Sequence, residues 1–295
     1  MKTLLKIASN PSLIYYYGQK GIRIPSIRRI LGKLESWISP SLPASSATES
    51  DTKALSLLRT DGIAYLADLH LCQSTLNEIY AHYEGKPVID LYSGQFLNGL
   101  EGLENKYNKV QYQLVDTLTC TPLLNFANHP TILATVAQYL GAKPSISAIQ
   151  SWWTIGEHNQ NGNIHYDDIY HRDVDDFRFV KLFVYLTDTS LTTGAHSYIK
   201  GSHRSDLLTR RGPISDEEAK TNFDTTDFET VTGFAGTAFL EDTWGIHRPL
   251  LAIEGRRLIF SVIYSLSIHA PDRPSKPLIK LPDGLDPYVN RAFCF

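Results

Sequence analysis

His165-Tyr166-Asp167-Asp168-Ile169-Tyr170-His171-Arg172-Asp173-Val174-Asp175-Asp176-Phe177-Arg178 runs directly into Phe179-Val180-Lys181-Leu182-Phe183-Val184-Tyr185-Leu186. The first part is dense in polar groups. The second, from Val180 to Leu186, is rich in β-branched and aromatic residues and reads as a strand. The polar part holds His-x-Asp twice, at 165/167 and at 171/173. On an extended chain residues i and i+2 project to the same face, so this spacing lets an imidazole and a carboxylate take adjacent positions on one metal ion. Two histidines and one carboxylate on one face of an octahedron leave three positions free. That suits iron(II) that must take a bidentate cosubstrate and then O2. A third ligand must come from a later strand, and His196, His203, His247 and His269 are the candidates.

Outward from this stretch the chain changes character at Pro144. Beyond it, Ile146–Ile155, Val180–Leu186, Ser197–Ile199, Gly236–Leu240 and Leu258–Leu266 read as strands separated by Gly, Pro, Asn and Asp clusters. Before it, Ala54–Leu58 is helical and stops at Asp61-Gly62, and Ile63–Leu69 reads as a strand. Thr75-x-x-Glu78 resembles a capping box opening a helix through Tyr83. Lys86–Gly102 shows no period and is expected to be a long loop over a site. Pro122–Asn128 and Pro130–Leu140 read as helices, the second stopped by Gly141. Helices first and irregularly connected strands afterwards predict an α+β fold. Its core is a double-stranded β-helix (a cupin-like jelly roll) beneath an N-terminal helical layer.

Residues 1–50 stand apart. Seven basic residues face one acid, Glu35, in the first 40, and Ile27, Ile30, Leu31, Leu34 and Ile38 fall at helical spacing. The expected arrangement is a basic helical arm packed on the main domain with its charges in water, followed by a Ser/Pro-rich linker from Pro40 to Ser50. The arm also offers a route to an oligomer. The main domain is then 51–295: a helical part 51–143, a jelly-roll core 144–270 and a tail 271–295. Lys6, Ser9, Asn10 and Pro11 interrupt the apolar start before a signal peptide can form, and no stretch is apolar enough to span a bilayer. A cytoplasmic location is expected. The formal charge of −3 over 295 residues provides no basic face for nucleic acid. Cys72, Cys120 and Cys294 lack any metal or redox spacing and are expected to be free thiols. Trp152, Trp153 and Trp244 are assigned to the core.

The run His171–Asp188 resembles the phytanoyl-CoA dioxygenase family. So do Gly194-Ala195-His196-Ser197-Tyr198-Ile199-Lys200-Gly201-Ser202-His203-Arg204 and the segment Gly236–His247 with Gly255–Tyr264 behind it. The resemblance covers roughly residues 51–270 in the family's order. It implies an enzyme dependent on Fe(II), 2-oxoglutarate and O2, with His171, Asp173 and His247 on the metal. It also implies that Arg257, at the family's interval after the distal histidine, holds the far carboxylate of 2-oxoglutarate through paired, charge-assisted hydrogen bonds. Ser261, on the same strand face, adds a donor. His165 and Asp167 form the competing pair. His203 is then structural, His196 lies near the substrate, and His269 sits in a surface loop.

Related halogenases carry a small residue where Asp173 stands, so its presence points to hydroxylation, desaturation or dealkylation. The expected substrate is a small polar molecule of specialised metabolism. Arg248, Asp175, Asp176 and Arg178 would suit an anionic one, unless they pair with one another. Two other classes keep the same ligands: a non-catalytic jelly-roll module binding a metal or sugar, and a zinc hydrolase. Neither needs Arg257.

Overall fold

The computed structural model describes residues 13–41, 49–103, 106–156, 168–210, 212–269, 274 and 276–295. Two antiparallel sheets face each other. The larger has eight strands in the order β1-β9-β6-β11-β5-β4-β2-β3. These are β1 (Ile63–Tyr65), β2 (Val88–Asp90), β3 (Phe96–Leu97), β4 (Lys109–Tyr112), β5 (Ser145–Ile155), β6 (Phe179–Tyr185), β9 (Ala238–Glu241) and β11 (Arg256–Ser265). The smaller has the order β10-β7-β8, from β7 (His196–Ile199), β8 (Phe228–Val231) and β10 (His247–Pro249).

Strand alternation decides what each face does. On β6, Leu182 and Val184 turn outward and join Phe260 and Val262 of β11 in the main core. The helices α3 (Glu49–Thr60), α4 (Gln73–Tyr83), α6 (Thr121–Ala127) and α7 (Pro130–Leu140) pack against that outer face, with the short α5 (Leu114–Leu118) between α4 and α6 in the chain. Phe183 and Tyr185 turn inward. They meet Phe239 and Ile259 of the same sheet and Tyr198 and Val231 of the smaller one. The inward face is therefore part aromatic and part polar, and it carries the site. The last residues return to the core: Val289 and Phe293 are buried, and Ile146 N–H donates to Val289 O at 2.8 Å.

Several expectations need correction. The strand expected over Ile63–Leu69 ends at Tyr65, because Leu69 N–H donates to Leu66 O and closes a turn. Lys86–Gly102 contains the β2–β3 hairpin; its turn is tied by the Asp90 carboxylate, which accepts from Ser93 N–H at 2.7 Å, and by Gly94 at φ +74°. Helix α4 starts at Gln73, ahead of Thr75, and its N-cap, Cys72, makes no side-chain cap bond. A true capping box lies elsewhere, between Ser215 and Glu218, and opens α8 (Asp216–Asn222), a helix the sequence reading passed over. Most of the linker over 40–50 lies outside the described residues.

Helices α1 (Leu13–Gly21) and α2 (Pro25–Ile38) dock on the two loops that flank β6 and β9. Arg28 carries the contact. It is buried, lies 4.3 Å above the Trp244 ring, and donates to Gln19 O, Ile22 O and Asp176 O. Tyr15 donates to Glu35 and to Asp176. Burial lowers the Arg28 pKa to about 10, so it stays charged near neutrality. Hydrogen bonds from a charged donor are worth about 1.5–3 kcal/mol. Arg28→Ala should therefore lose about 2–3 kcal/mol in thermal or urea unfolding and speed proteolysis within 13–41. An unchanged midpoint would show that the docking of α1 and α2 does not depend on this side chain.

Candidate metal centre

His171 and His247 are far apart in sequence and adjacent in space. An isolated antiparallel bridge joins them: His171 N–H donates to His247 O at 3.0 Å, and His247 N–H returns to His171 O at 3.1 Å. Asp173 N–H donates to Thr243 O at 2.8 Å, which places its carboxylate beside the same turn. That turn needs Gly245. A Cβ there would collide with the Tyr198 hydroxyl, which itself donates to Asp242 O at 3.0 Å.

Both imidazoles point their Nε2 atoms at Asp173. The separations are 3.7 Å from His171 to Oδ1 and 3.3 Å from His247 to Oδ2. Each Nδ1 faces a backbone carbonyl, Ile169 O at 2.8 Å and Gly245 O at 3.0 Å, and a carbonyl can only accept, so each Nδ1 carries a proton and donates. With Nδ1 donating to the backbone, Nε2 is the nitrogen each ring turns towards Asp173, the arrangement that metal-binding histidines adopt. One ligand atom from each of His171, Asp173 and His247 lies within 4.8 Å of the others, and this is the metal-capable cluster found among the described residues. Two imidazoles and a carboxylate fit a divalent transition metal.

Lys181 holds Asp173 from behind, at 2.6 Å from Oδ2, and reaches Asp175 at 3.1 Å. Burial would lift the Asp173 pKa, but Lys181, His247 and His171 outweigh it and hold the carboxyl well below its usual range. Burial pushes Lys181 down, and Asp173 and Asp175 more than reverse that, so it stays protonated.

Arg257 lies on the inward face of β11, with Ser261 two pleats along the same face; both are buried. Arg257 donates to Gly194 O and, at 3.1 Å, to Thr154 Oγ1. Its Nε has no partner and no carboxylate is within ion-pair distance, among the described residues. Burial lowers the Arg257 pKa, opposed by Tyr185 and by the more distant Asp168, and a buried guanidinium with no carboxylate in direct contact is suited to receive an anion. Arg256 points the other way, to Leu100 O. Arg257 and the metal centre share one interior. Arg257 lies 6.0 Å from the Tyr185 ring, the Tyr185 hydroxyl accepts from His196 N–H at 3.0 Å, and the His196 ring stacks 5.5 Å from that of His247.

The other expected residues fall differently. His165 and Asp167 lie outside the described residues. His196 is buried, 2.7 Å from Glu241. His203 sits in a short turn with Nε2 3.4 Å from Arg59 O. His269 lies in a loop, half-buried, with its ring 5.4 Å from that of Tyr15. Trp244 is buried, whereas Trp152 and Trp153 are only half-buried. The three cysteines are free. Sequence reading missed Lys181, Tyr185 and Glu241. Lys181 and Glu241 had a signal, a lone charge in an otherwise apolar strand.

The family model described as phytanoyl-CoA dioxygenase (PhyH) matches residues 103–248, a span that includes His171, Asp173 and His247. No curated protein matches the chain in sequence. Among solved structures, the non-haem alpha-ketoglutarate-dependent epimerase SnoN from nogalamycin biosynthesis aligns with a TM-score of 0.53 and 16% identity. The alignment covers 83% of this chain and 95% of that one, and it shows a shared fold. HygX from Streptomyces hygroscopicus, solved with nickel, 2-oxoglutarate and hygromycin B, aligns with a TM-score of 0.48 and 16% identity over 72% of this chain and 86% of that one. No helix among the described residues is long and apolar enough to cross a membrane.

The histidines make metal binding pH-dependent with a definite sign. Burial pushes the His247 pKa down, but Asp173 outweighs it, and the net shift is upward. In the metal-free protein the His247–Asp173 attraction stabilises the fold below the ordinary imidazole range and fades as pH rises through the raised value. A divalent ion must displace that proton. Cobalt(II) affinity, followed by titration from about pH 8 down to about pH 6, should therefore begin to fall above the ordinary imidazole pKa of about 6.5. A flat affinity across that range would contradict the assigned geometry.

Proposed function

We propose that this chain, which belongs to the phytanoyl-CoA dioxygenase-like enzymes dependent on iron and 2-oxoglutarate, oxidises an unactivated C–H bond of a small polar metabolite. The reaction is a hydroxylation, or a desaturation or dealkylation, in specialised-metabolite tailoring. The observation that carries this reading is the pairing of a two-histidine, one-carboxylate cluster with a buried, unpaired guanidinium in the same barrel interior. A metal-binding module or a zinc hydrolase has no use for the guanidinium.

The roles follow from the contacts. His171 and His247 hold the metal through Nε2, their rings fixed by the carbonyls of Ile169 and Gly245. Asp173 supplies the third ligand, and Lys181 keeps it ionised. Iron(II) with 2-oxoglutarate and O2 supplies the oxidising power. Arg257 grips the far carboxylate of the cosubstrate, with Thr154 and Ser261 beside it. Phe183, Tyr185, Phe239 and Ile259 wall the interior against water. Asp173 occupies the ligand position that an added anion would need, which favours oxygenation.

Three substitutions test the metal assignment: His171→Ala, Asp173→Ala and His247→Ala should each abolish iron-dependent succinate release. Retained turnover in His171→Ala would move the metal elsewhere. Arg257→Ala should spare iron binding and raise the KM for 2-oxoglutarate at least about a hundredfold, since losing one partner of a buried charge pair costs about 3–5 kcal/mol. Arg257→Lys should recover part of the loss, because an ammonium cannot reproduce the planar fork. Arg256→Ala should be mild. A crippled Arg256→Ala beside a normal Arg257→Ala would reverse the assignment.

A further inference from the structure

A cavity of about 350 Å3 adjoins the metal centre, and what it admits rests on the assignment of that centre just given. The two share a wall. Asp175 lines the cavity and lies 3.1 Å from Lys181 Nζ, the same ammonium that holds Asp173. Ile263, another lining residue, is the β11 partner of Lys181 across the β6–β11 ladder.

Three primary amides face this space: Gln111 on β4, Gln113 just after it, and Gln150 on β5. Among the described residues none of these side chains makes a hydrogen bond within the protein. Each amide both donates and accepts. The ligand group with the same double capacity is a hydroxyl, and three uncommitted amides with Ser267 beside them match a molecule that carries several.

Charge narrows the class. Among the described lining residues Asp175 is the one carboxylate, and neither a lysine nor an arginine is present. His269 is the one imidazole among those residues, and the arginines that suggested an anion are engaged elsewhere. Arg248 forks onto Asp216 at 2.6 and 2.9 Å, and Arg178 donates to the carbonyls of Leu140 and Tyr139. Asp176 is buried and accepts from Phe177 N–H, Ser267 N–H and Tyr15. The charges that suggested an anionic substrate in the sequence thus do not serve one. An acid in this cavity would meet Asp175, while Lys181 is already shared by two carboxylates.

We propose that the cavity binds a hydroxyl-rich substrate that is uncharged or carries an amine, and that Asp175 turns acids away. Tyr16 of α1 also lines the cavity, so the N-terminal helices form part of the substrate wall.

Three matched probes test this: methyl glucoside, glucosamine and glucuronate, each followed by saturation-transfer NMR on the full chain loaded with zinc and 2-oxoglutarate. The first two should bind, and glucuronate should bind at least about tenfold more weakly, a difference of about 1.4 kcal/mol. Asp175→Asn should weaken glucosamine and bring glucuronate towards methyl glucoside. Ala148→Trp, which fills the cavity, should remove the signals of both binding sugars. Glucuronate binding as well as methyl glucoside, an order unchanged by Asp175→Asn, sugar signals that survive Ala148→Trp, or no sugar binding at all would each overturn the proposal. Succinate release from 2-oxoglutarate, measured on the same wild-type preparation with iron(II), separates the two assignments. Release with the wrong sugar order sinks the substrate class alone, whereas no release sinks the metal assignment beneath it.

Discussion

Two backbone hydrogen bonds between His171 and His247 hold the site together. They extend the smaller sheet by one bridge and set the two imidazoles 4.4 Å apart between ring centroids. Everything around the bridge keeps it in register. Tyr198 packs into the space a side chain at Gly245 would fill, and the Asp173 amide is tied to Thr243. On the outside, Arg28 sits against Trp244 and the Asp176 carbonyl, so α1 and α2 brace the two loops that carry His171, Asp173 and His247. The N-terminal arm is thereby part of the architecture of the centre.

Charge within the barrel is arranged in two groups. Around the metal-capable cluster, Lys181 lies against Asp173 and Asp175, and with His247 and His171 it holds the Asp173 carboxyl ionised despite burial. On the same inward face, Arg257 donates only to neutral oxygens, and the carboxylate that acts on it, Asp168, lies beyond ion-pair distance. A guanidinium buried without an anion carries a desolvation cost that a bound carboxylate would offset. Tyr185 and His196 bridge the two groups. Burial keeps His196 less basic than an ordinary imidazole, although Glu241 opposes that, and it adds little positive charge beside His247. Glu241 itself is fully enclosed, 3.9 Å from His247 Nδ1.

The legible parts of the sequence were those in which local pattern and geometry agree. His171 and Asp173 share a face because their spacing matches the pleat, and Arg257, not Arg256, faces inward because β11 keeps its alternation as far as its bulge at Ile263/Tyr264. Helix α7 ends at Gly141, at φ +83°, as its sequence suggested. Parts set by tertiary contacts were not legible. The β2–β3 hairpin has strands of three and two residues, too short to show a period. Strand β10 exists because His247–Pro249 finds β7 beside it, and β8 for the same reason. At Thr75 the capping pattern was present but the helix had already begun; at Ser215 the same pattern opens a helix. The Arg248–Asp216 ion pair and the hydrogen bonds of Arg178 to the Leu140 and Tyr139 carbonyls could not be read from neighbours in sequence, since the partners come from distant segments.

The most direct measurement is anomalous diffraction at the iron edge from crystals grown without oxygen in iron(II) and 2-oxoglutarate. One peak should appear within coordination distance of His171 Nε2, Asp173 and His247 Nε2, with the far carboxylate of 2-oxoglutarate on Arg257. Iron at His165 and Asp167, or a cosubstrate carboxylate held by any residue other than Arg257, would contradict the assignment of the centre.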